Sequence, residues 1–256
     1  MSYLNRHWKN LNIFLLDKNP YTCARYYCDK HVSKMALEMT MLLNTYMRSY
    51  LGIVIGYNST QVGHFCYHWI TRRYHNVAWT FHLALGLFSE FEKRFGKKHS
   101  CEELVKAMLL IISDDKNIKG LDIVPRLMYN RCTEVKGLHR IISLPIEKLL
   151  EDELLIQGFS SLIGVSQRAC NILDPVEMHR YNYWICKKEF AKWNHSTPSP
   201  HWWNEEYMAS ILDRNINTLP KDSILRNRIR EAEQHFEVQG PAFEQIERLN
   251  ITTIEF

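Results

Sequence analysis

The stretch ARYYCDKHVSKMALEMTMLLNTY, residues 24–46, decides the fold class because its apolar residues recur at the three- and four-residue spacing of an amphipathic helix. Asn19 and Pro20 just upstream supply a favourable N-cap and first helical residue. The pattern therefore predicts one long helix from Pro20 to about Tyr50. Five polar residues interrupt its apolar pattern and need an explanation: Asp29, Lys30, His31, Lys34 and Glu38.

Two further helical patterns follow. The first runs from about His68 to Phe95 and stops at Gly96, a residue type that commonly ends helices. The second begins at Ser100, which forms a capping-box pattern with Glu103, and continues through the apolar residues that follow, to Ile112. Residues 114–145 are polar and turn-rich. Residues 144–163 are helical in pattern, with an interruption at Gly158.

A clear helix start lies late in the chain. Asp174 can cap the free amides of a helix, Pro175 needs no amide partner, and Glu177 occupies the reciprocal position of a capping box. This helix is predicted to reach about Trp193. The prolines of residues 196–203 prevent it from continuing.

These patterns predict a mainly α protein with one multi-helix domain over residues 1–203 and a helical C-terminal extension over residues 204–256. Within that extension, RNRIREAEQHFEVQ (226–239) has the composition of an exposed helix. The apolar run at residues 13–16 is either a short N-terminal strand or only the entry to the first helix.

Composition narrows the class of protein. The chain has 256 residues, 46% of them hydrophobic, which is enough for a substantial core, and its net charge of +4 makes the surface mildly basic. A polyanionic partner is permitted but would need local clustering of charge. Seven cysteines without a C-x-x-C pair, and no leader, favour reduced thiols in a cytosolic or nuclear compartment rather than secretion. No apolar run reaches the roughly 18 residues that span a bilayer, so no membrane role is expected.

The first helix offers a candidate catalytic cluster. On a helical wheel Tyr27, His31, Lys34 and Glu38 share one flank of the apolar stripe, whereas Asp29 lies on the opposite flank. A flank borders the interior, where a cleft could form. His31, Lys34 and Glu38 could then present a base, a cation and an acid to one ligand. Alternatively, Lys34 and Glu38 form an ordinary salt bridge one helical turn apart, and His31 is a boundary histidine.

A second cluster, in GHFCYHW (63–69), has His64, Cys66 and His68 in alternation. Its spacing differs from the usual zinc patterns and no second pair completes a site. We therefore assign no metal and interpret Cys66 as a packed cysteine beside two polar histidines. His64, Cys66 and Asp29 remain secondary site candidates.

The third cluster combines basic and aromatic residues on the late helix and after it. Arg180, Trp184 and Lys187 line one edge of that helix beside an apolar face that includes Tyr183, and Trp202 follows in PHWW. Basic side chains interleaved with aromatic ones suit phosphate contacts and base stacking, so this set is a candidate nucleic-acid surface. The alternative is that the aromatic residues are core.

The sequence contains no P-loop, dinucleotide-binding, nucleophile-elbow or H-E-x-x-H motif, so common nucleotide-binding and hydrolase folds are not supported and no cofactor is assigned.

Several blocks of the chain together resemble a family of mostly uncharacterised bacteriophage proteins. The blocks are NIFLLDKNPYTCARYYCDKHVSKMALEMTMLL (12–43), H-x-C at His64 and Cys66 with Trp69, EFEKRFGKKH (90–99), DPVEMHRYNYWICKKEFAKW (174–193) and PHWW (200–203). They cover about residues 12–203 in the same order, whereas His68, residues 114–170 and the last fifty or so residues fall outside the pattern.

The resemblance implies a viral origin and work in an infected cell. Viral enzymes that modify thymine derivatives in DNA, and glycosylases that excise bases, would need both an acid/base cluster and a basic aromatic surface. We therefore expect an enzyme acting on a DNA base, as a pyrimidine-directed transferase or a glycosylase. Two alternatives stay open: a non-catalytic adaptor that binds nucleic acid or a host protein, and an enzyme on a free nucleotide or another small phosphorylated metabolite.

Overall fold

A computed structural model of the chain describes residues 13–59, 62–113, 131–162, 172, 174–195 and 197–218. These residues form two compact units, unit 1 within Met1–Leu162 and Ala191–Ser199, and unit 2 within Ile163–Phe190 and Pro200–Phe256. The helices are α1 Pro20–Tyr26, α2 Asp29–Thr45, α3 Phe65–Thr71, α4 Tyr74–Phe95, α5 Glu102–Ser113, α6 Arg131–Ile142, α7 Ile146–Leu149, α8 Glu153–Gly158, α9 Pro175–Lys187 and α10 Glu205–Thr218. A π turn, Tyr46–Tyr50, extends α2, and a 3₁₀ turn, Phe159–Leu162, follows α8.

The predicted mainly α class is confirmed: the part of the chain that the structure describes contains helices and no β-strand. Residues 13–16 are the irregular entry to α1 and not a strand. Asn19 caps α1 as predicted, since its side chain accepts hydrogen bonds from the amides of Tyr21 and Thr22. Among the described helices, none is both long and apolar enough to cross a membrane.

The long first helix that the sequence predicts is in fact two helices. Tyr27 and Cys28 adopt extended backbone conformations between α1 and α2. The Tyr27 hydroxyl turns back to the entry segment, where it donates to the Phe14 carbonyl at 2.7 Å and accepts from the Phe14 amide at 3.1 Å. The prediction of one continuous helix was wrong because these contacts come from outside the helical pattern.

A buried arginine from α4 stabilises this break. The Arg94 side chain has no solvent exposure, and its guanidinium donates to the carbonyls of Tyr27 and Arg25 at 2.7 and 2.8 Å. Those carbonyls lie at the end of α1, where no helical partner is available. The same group forms ion pairs with Asp29 at 3.2 Å and with Glu90 at 3.0 Å. Arg94 therefore joins the end of α1, the start of α2 and α4.

The core of unit 1 is built around α4, which packs against α1, α2 and α6. Trp79 on this helix is fully buried and donates its indole N–H to the Lys18 carbonyl at 2.7 Å. Trp69 on α3 crosses Trp79 edge to face and donates to the Gly158 carbonyl at 3.0 Å. Both of these indoles thus have a hydrogen-bond partner, as buried tryptophans usually do.

The helix predicted from His68 to Phe95 also has a break, at Arg72 and Arg73. Arg73 is extended and its guanidinium contacts Asp152, the N-cap of α8, at 3.1 Å. The Asn76 side-chain amide donates to the Trp69 carbonyl at 2.6 Å, and this carbonyl also accepts from the Arg72 amide at 3.3 Å at the end of α3. The predicted stop at Gly96 is confirmed, since this glycine caps α4 with φ of 66°.

Residues 114–145 contain more helix than their polar composition indicates. α6 lies here and buries residues at helical spacing, Val135, Leu138 and Ile141. The helical pattern over 144–163 is present as the short helices α7 and α8 and the 3₁₀ turn, and α8 ends at Gly158 as expected. Residues 114–130 lie outside the described residues.

Unit 2 contains α9 and α10. Asp174 caps α9 as predicted, accepting from the amides of Val176 and Glu177. Glu177 pairs with Arg214 of α10 at 2.5 Å. The helix ends at Lys187 and not near Trp193. Residues 188–190 form a turn, and residues 191–195 belong to unit 1, where the Lys192 carbonyl accepts from the Asp29 amide.

The predicted boundary at residue 203 stays a prediction, although the two units divide the chain elsewhere. α10 forms the first described part of the predicted extension, and the predicted exposed helix at 226–239 lies outside the described residues.

The segment after the π turn is fastened to α2 by one asparagine. Asn44 is buried, donates to the Tyr57 carbonyl at 2.6 Å and accepts from the Tyr57 amide at 3.1 Å. Gly56 precedes this anchor with φ of 63°, and a Cβ there would lie 2.6 Å from both the Asn44 side-chain oxygen and a Leu104 methyl group.

Replacing Arg94 by methionine should destabilise the protein by about 3–5 kcal/mol, since it leaves two nearly buried carboxylates without their cation. Lys93→Met is the matched control: Lys93 also contacts Glu90, at 3.7 Å, but its side chain is 52% exposed. This control should cost less than about 1 kcal/mol. Urea denaturation measures both changes, and equal midpoints for the two variants would contradict this role of Arg94.

Gly56→Ala should destabilise the protein more than Gly96→Ala. Both glycines have φ near 65°, which costs a residue with a side chain roughly 1–2 kcal/mol. A Cβ at Gly96 meets nothing within 4 Å, whereas at Gly56 it meets Asn44, which cannot move without losing its bonds to Tyr57. We expect an additional cost of about 1–3 kcal/mol at Gly56. Thermal and urea unfolding of the two variants test this, and an equal loss would show that the contact is harmless.

Candidate functional site

The predicted trio occupies successive turns of α2 but differs in access to solvent. His31 is 4% exposed, and its ring stacks on Phe14 at 5.8 Å. Glu38 has a side chain that is 9% exposed, and its carboxylate lies 3.3 Å from the ammonium group of Lys34, whose side chain is 53% exposed. The structure thus sets a solvated cation against an acid at the edge of the interior.

The break before α2 changes the predicted grouping. Tyr27 precedes the helix, so it does not share the wheel on which it was grouped with the trio. Its hydroxyl instead fixes the backbone of Phe14, and the Phe14 ring covers His31. Tyr27 therefore acts on the site through the entry segment.

Glu38 borders a second element of unit 1. Cys66 on α3 is fully buried, and burial is the main reason that the pKa of its thiol rises to about 12. A hydrogen bond with the Ile13 backbone lowers this pKa, and the nearby Glu38 carboxylate raises it. Cys66 is consequently a neutral thiol at physiological pH within electrostatic range of Glu38.

The three residues of the H-x-C-x-H pattern have different environments. His64 is the N-cap of α3 and accepts from the Cys66 amide at 3.2 Å; its pKa is lowered, mainly by burial and further by His68. Cys66 is buried and His68 is exposed. Within the described residues, no group of three His, Cys, Asp or Glu side chains could hold a metal ion.

The contacts of Asp29 hold the fold together. One carboxylate oxygen contacts Arg94 at 3.2 Å, and the other accepts from the Asn194 amide at 2.8 Å. Its own amide donates to the Lys192 carbonyl. An acid at the first position of a helix also interacts favourably with the helix dipole. These contacts explain Asp29 without a catalytic role.

The predicted nucleic-acid residues all lie in unit 2, but several are enclosed. Tyr183 and Trp202 have no exposed surface, and Arg180 is 9% exposed. Arg180 lies over the Trp202 ring at 5.3 Å and donates to the Tyr207 hydroxyl at 2.9 Å. A nucleobase cannot stack on Tyr183 or Trp202 in this arrangement, so their placement favours packing.

Trp184 and Lys187 keep partial access to solvent. Trp184 contacts Trp203 edge to face at 4.7 Å, and Lys187 lies 5.7 Å from the ring of Phe190, which is 37% exposed. The part of the predicted surface that a ligand can reach is therefore centred on these residues.

Sequence reasoning missed the residues that support the site. Arg94 and Glu90 were visible only within a charged helix end, EFEKRFGKKH, where an exposed position is the ordinary expectation. Phe14 belonged to a short apolar run without a clear period. The available signal was the spacing of Glu90 and Arg94, one helical turn apart on an otherwise apolar helix.

Comparison with protein-family models, with curated proteins and with solved structures finds no significant match for this chain. The resemblance to a bacteriophage family stays a prediction.

Iodoacetamide at pH 8 should modify Cys186 well before Cys66 in the folded protein. Cys186 is exposed, whereas Cys66 is buried and remains a protonated thiol until the pH approaches about 12. Peptide mass spectrometry over a time course measures both sites. Cys186→Ser is the control that removes the early product and should leave Cys66 unmodified until urea unfolds the chain. Equal modification rates would contradict the buried position of Cys66.

Proposed function

We propose that the protein is an enzyme that acts on a base of DNA, as a pyrimidine-directed transferase or a glycosylase, with Glu38 as its general acid/base. The observation that carries this proposal is the position of Glu38, an acid 9% exposed that is paired with Lys34 at the solvent boundary of unit 1. Proton transfer requires an acid that a substrate can approach and that water does not surround.

Lys34 suits the role of the partner cation. Its ammonium group holds Glu38 from the solvent side at 3.3 Å, so a ligand entering there would meet the cation first. An ammonium group in this position can bind a phosphate or stabilise negative charge that develops on a base. An ion pair between two fully exposed side chains contributes only about 0–1 kcal/mol to stability; here one partner, Lys34, is solvated and the other, Glu38, is nearly buried.

His31 suits a supporting role better than a catalytic one. Its ring is nearly enclosed and stacks on Phe14, which limits direct contact with a substrate. Glu38 therefore takes the acid/base role that the sequence left open between His31 and Glu38. His31 packs the base of the helix face that carries Lys34 and Glu38.

The proposed DNA contacts in unit 2 rest on the side chains that solvent reaches. Lys187 offers a cation for a phosphate, and Trp184 offers part of an indole ring. The enclosed residues Arg180, Tyr183 and Trp202 support this edge from behind. The proposed setting is the cytoplasm of a virus-infected host cell. It is supported by the described cysteines, none of which forms a disulfide: Cys23, Cys28, Cys66, Cys101 and Cys186.

A second candidate is an enzyme on a free nucleotide. The enclosure of Tyr183 and Trp202 favours it, because it shortens the aromatic surface that an extended DNA strand would need. The chemistry at Glu38 would be the same, but the substrate would be found in the soluble nucleotide pool.

Glu38→Gln should reduce turnover by about 10²–10⁴-fold, the usual contribution of a general acid/base, and leave folding intact. A transferase needs a co-substrate that donates the transferred group, and living bacteria supply such co-substrates. The measurement is therefore made on bacteria that express the chain. Their DNA is digested to nucleosides and examined by mass spectrometry for new nucleosides, and assayed for abasic sites. Soluble nucleotides are examined in parallel.

Glu102→Gln is the matched control, since Glu102 also pairs with a lysine one helical turn away and its side chain is 11% exposed. This variant should keep wild-type activity. Full activity of Glu38→Gln would remove Glu38 from the mechanism. A change confined to soluble nucleotides would favour the second candidate, and no change in DNA or nucleotides would favour the non-catalytic adaptor.

A further inference from the structure

The C-terminal end of α2 carries a pair of stacked tyrosines. Tyr46 and Tyr50 lie in the π turn with their ring centroids 5.0 Å apart and their planes within 16°. Tyr50 is 37% exposed, whereas Tyr46 is 1% exposed and its hydroxyl has no hydrogen-bond partner among the described residues. Single π turns are frequent at functional sites, and a buried hydroxyl without a partner is costly.

Two further tyrosines extend this group within unit 1. Tyr67 of α3 is nearly buried and its hydroxyl bonds the Ser49 side chain in the π turn. Tyr74, at the start of α4, places its ring against α6, where a Cβ on Gly137 would lie 2.8 Å from the ring edge. We call Tyr46, Tyr50, Tyr67 and Tyr74 the tyrosine cluster.

One carboxylate faces this cluster. Glu134 lies one turn before Gly137 on α6, is half-buried, and interacts with several of the rings. Burial is the main cause of the raised pKa values of Tyr46, Tyr50 and Tyr74, and the negative charge of Glu134 raises all three further. The carboxylate therefore lies within electrostatic range of three phenol groups of the cluster.

Glu134 differs from other partly buried acids of unit 1. Glu38 pairs with Lys34, Glu90 with Arg94 and Glu102 with Lys106. No ion pair or hydrogen bond joins Glu134 to another residue in the described part of the chain. A half-buried carboxylate that has no cation within the described protein can accept one from outside it.

We propose that the tyrosine cluster and Glu134 bind a primary ammonium group, carried by a free alkylamine or by a lysine side chain. Glu134 is its counter-ion, and the tyrosine rings bind the cation through their π faces. The Tyr46 hydroxyl oxygen accepts one N–H of the ammonium and thereby gains the partner it lacks. Gly137 leaves the room that the Tyr74 ring needs.

The chemistry of the cluster selects among cations. A quaternary ammonium ion has no N–H and would leave the Tyr46 hydroxyl without a partner. A guanidinium group prefers to form two parallel hydrogen bonds with one carboxylate. The Tyr46 hydroxyl is a single acceptor and does not match this two-pronged geometry. A primary ammonium group satisfies both the carboxylate and the single hydroxyl.

Isothermal titration calorimetry of the full-length chain with n-butylammonium chloride tests the proposal at constant ionic strength. We expect saturable binding, at least about fivefold tighter than that of tetramethylammonium, which retains only the charge and the cation–π contact. A second titration uses Nα-acetyl-lysine amide. Tighter binding of the lysine derivative identifies a peptide as the source of the ammonium group, and tighter binding of butylammonium identifies a free amine.

Glu134→Gln should weaken butylammonium binding by about tenfold, and Tyr46→Phe by several-fold, because each removes one of the charge-assisted contacts. Glu147→Gln, at an exposed acid on α7, and Tyr57→Phe, at a tyrosine outside the cluster, are the controls and should bind as the wild type does. If Tyr46→Phe fails to fold, Glu134→Gln at its half-exposed position still decides the question.

No saturable binding by the wild type, or equal binding by Glu134→Gln, would overturn the proposal. The Glu38→Gln variant should bind butylammonium normally, so a failure of the proposed base chemistry and a failure of this site can be told apart.

Discussion

The described structure of unit 1 depends on one buried cation. Arg94 has no solvent exposure, yet its guanidinium meets two main-chain carbonyls at the end of α1 and two carboxylates, Asp29 and Glu90. A charge in this position is tolerated only when its hydrogen bonds and its counter-charges are supplied together. The break between α1 and α2 supplies the carbonyls, so the break and the arginine require each other.

This constraint determines the candidate site indirectly. Because α2 begins at Asp29, the acid that starts the helix is engaged with Arg94 and with the backbone of residues 192–194. These contacts fix the rotational position of α2 about its axis, so that His31 and Glu38 lie toward the interior and Lys34 toward solvent. At the same break, Tyr27 leaves the helix and holds Phe14 over His31. The packing of the site therefore begins with residues that are remote in sequence.

Local signals in the sequence were sufficient to predict a helix end where that end depends only on residues within the same turn. Asn19 with Pro20, Gly96, and Asp174 with Pro175 were all identified correctly, since each acts within one turn of its position. The breaks at Tyr27 and Arg73 escaped prediction because their stabilising partners, Arg94 and Asp152, come from other elements. Periodicity also failed for α9, whose helical pattern continues to about Trp193 although the helix ends at Lys187 and residues 191–195 belong to unit 1.

The candidate site was predictable only in part for a related reason. Helical spacing brings Lys34 and Glu38 together in any helix, so their salt bridge followed from the sequence alone. The same spacing carries no information about depth, and the aromatic residues of α9 show the consequence: Tyr183 is enclosed while Trp184 beside it is partly exposed. Two carboxylates near α2 also differ in their neighbours. Glu38 meets a cation from its own helix, whereas Glu134 reaches the π turn from α6, with no such neighbour in the described chain to neutralise it. We propose proton transfer at Glu38 and recognition of a cation at Glu134, so the middle of α2 and the π turn that extends this helix support different chemistry.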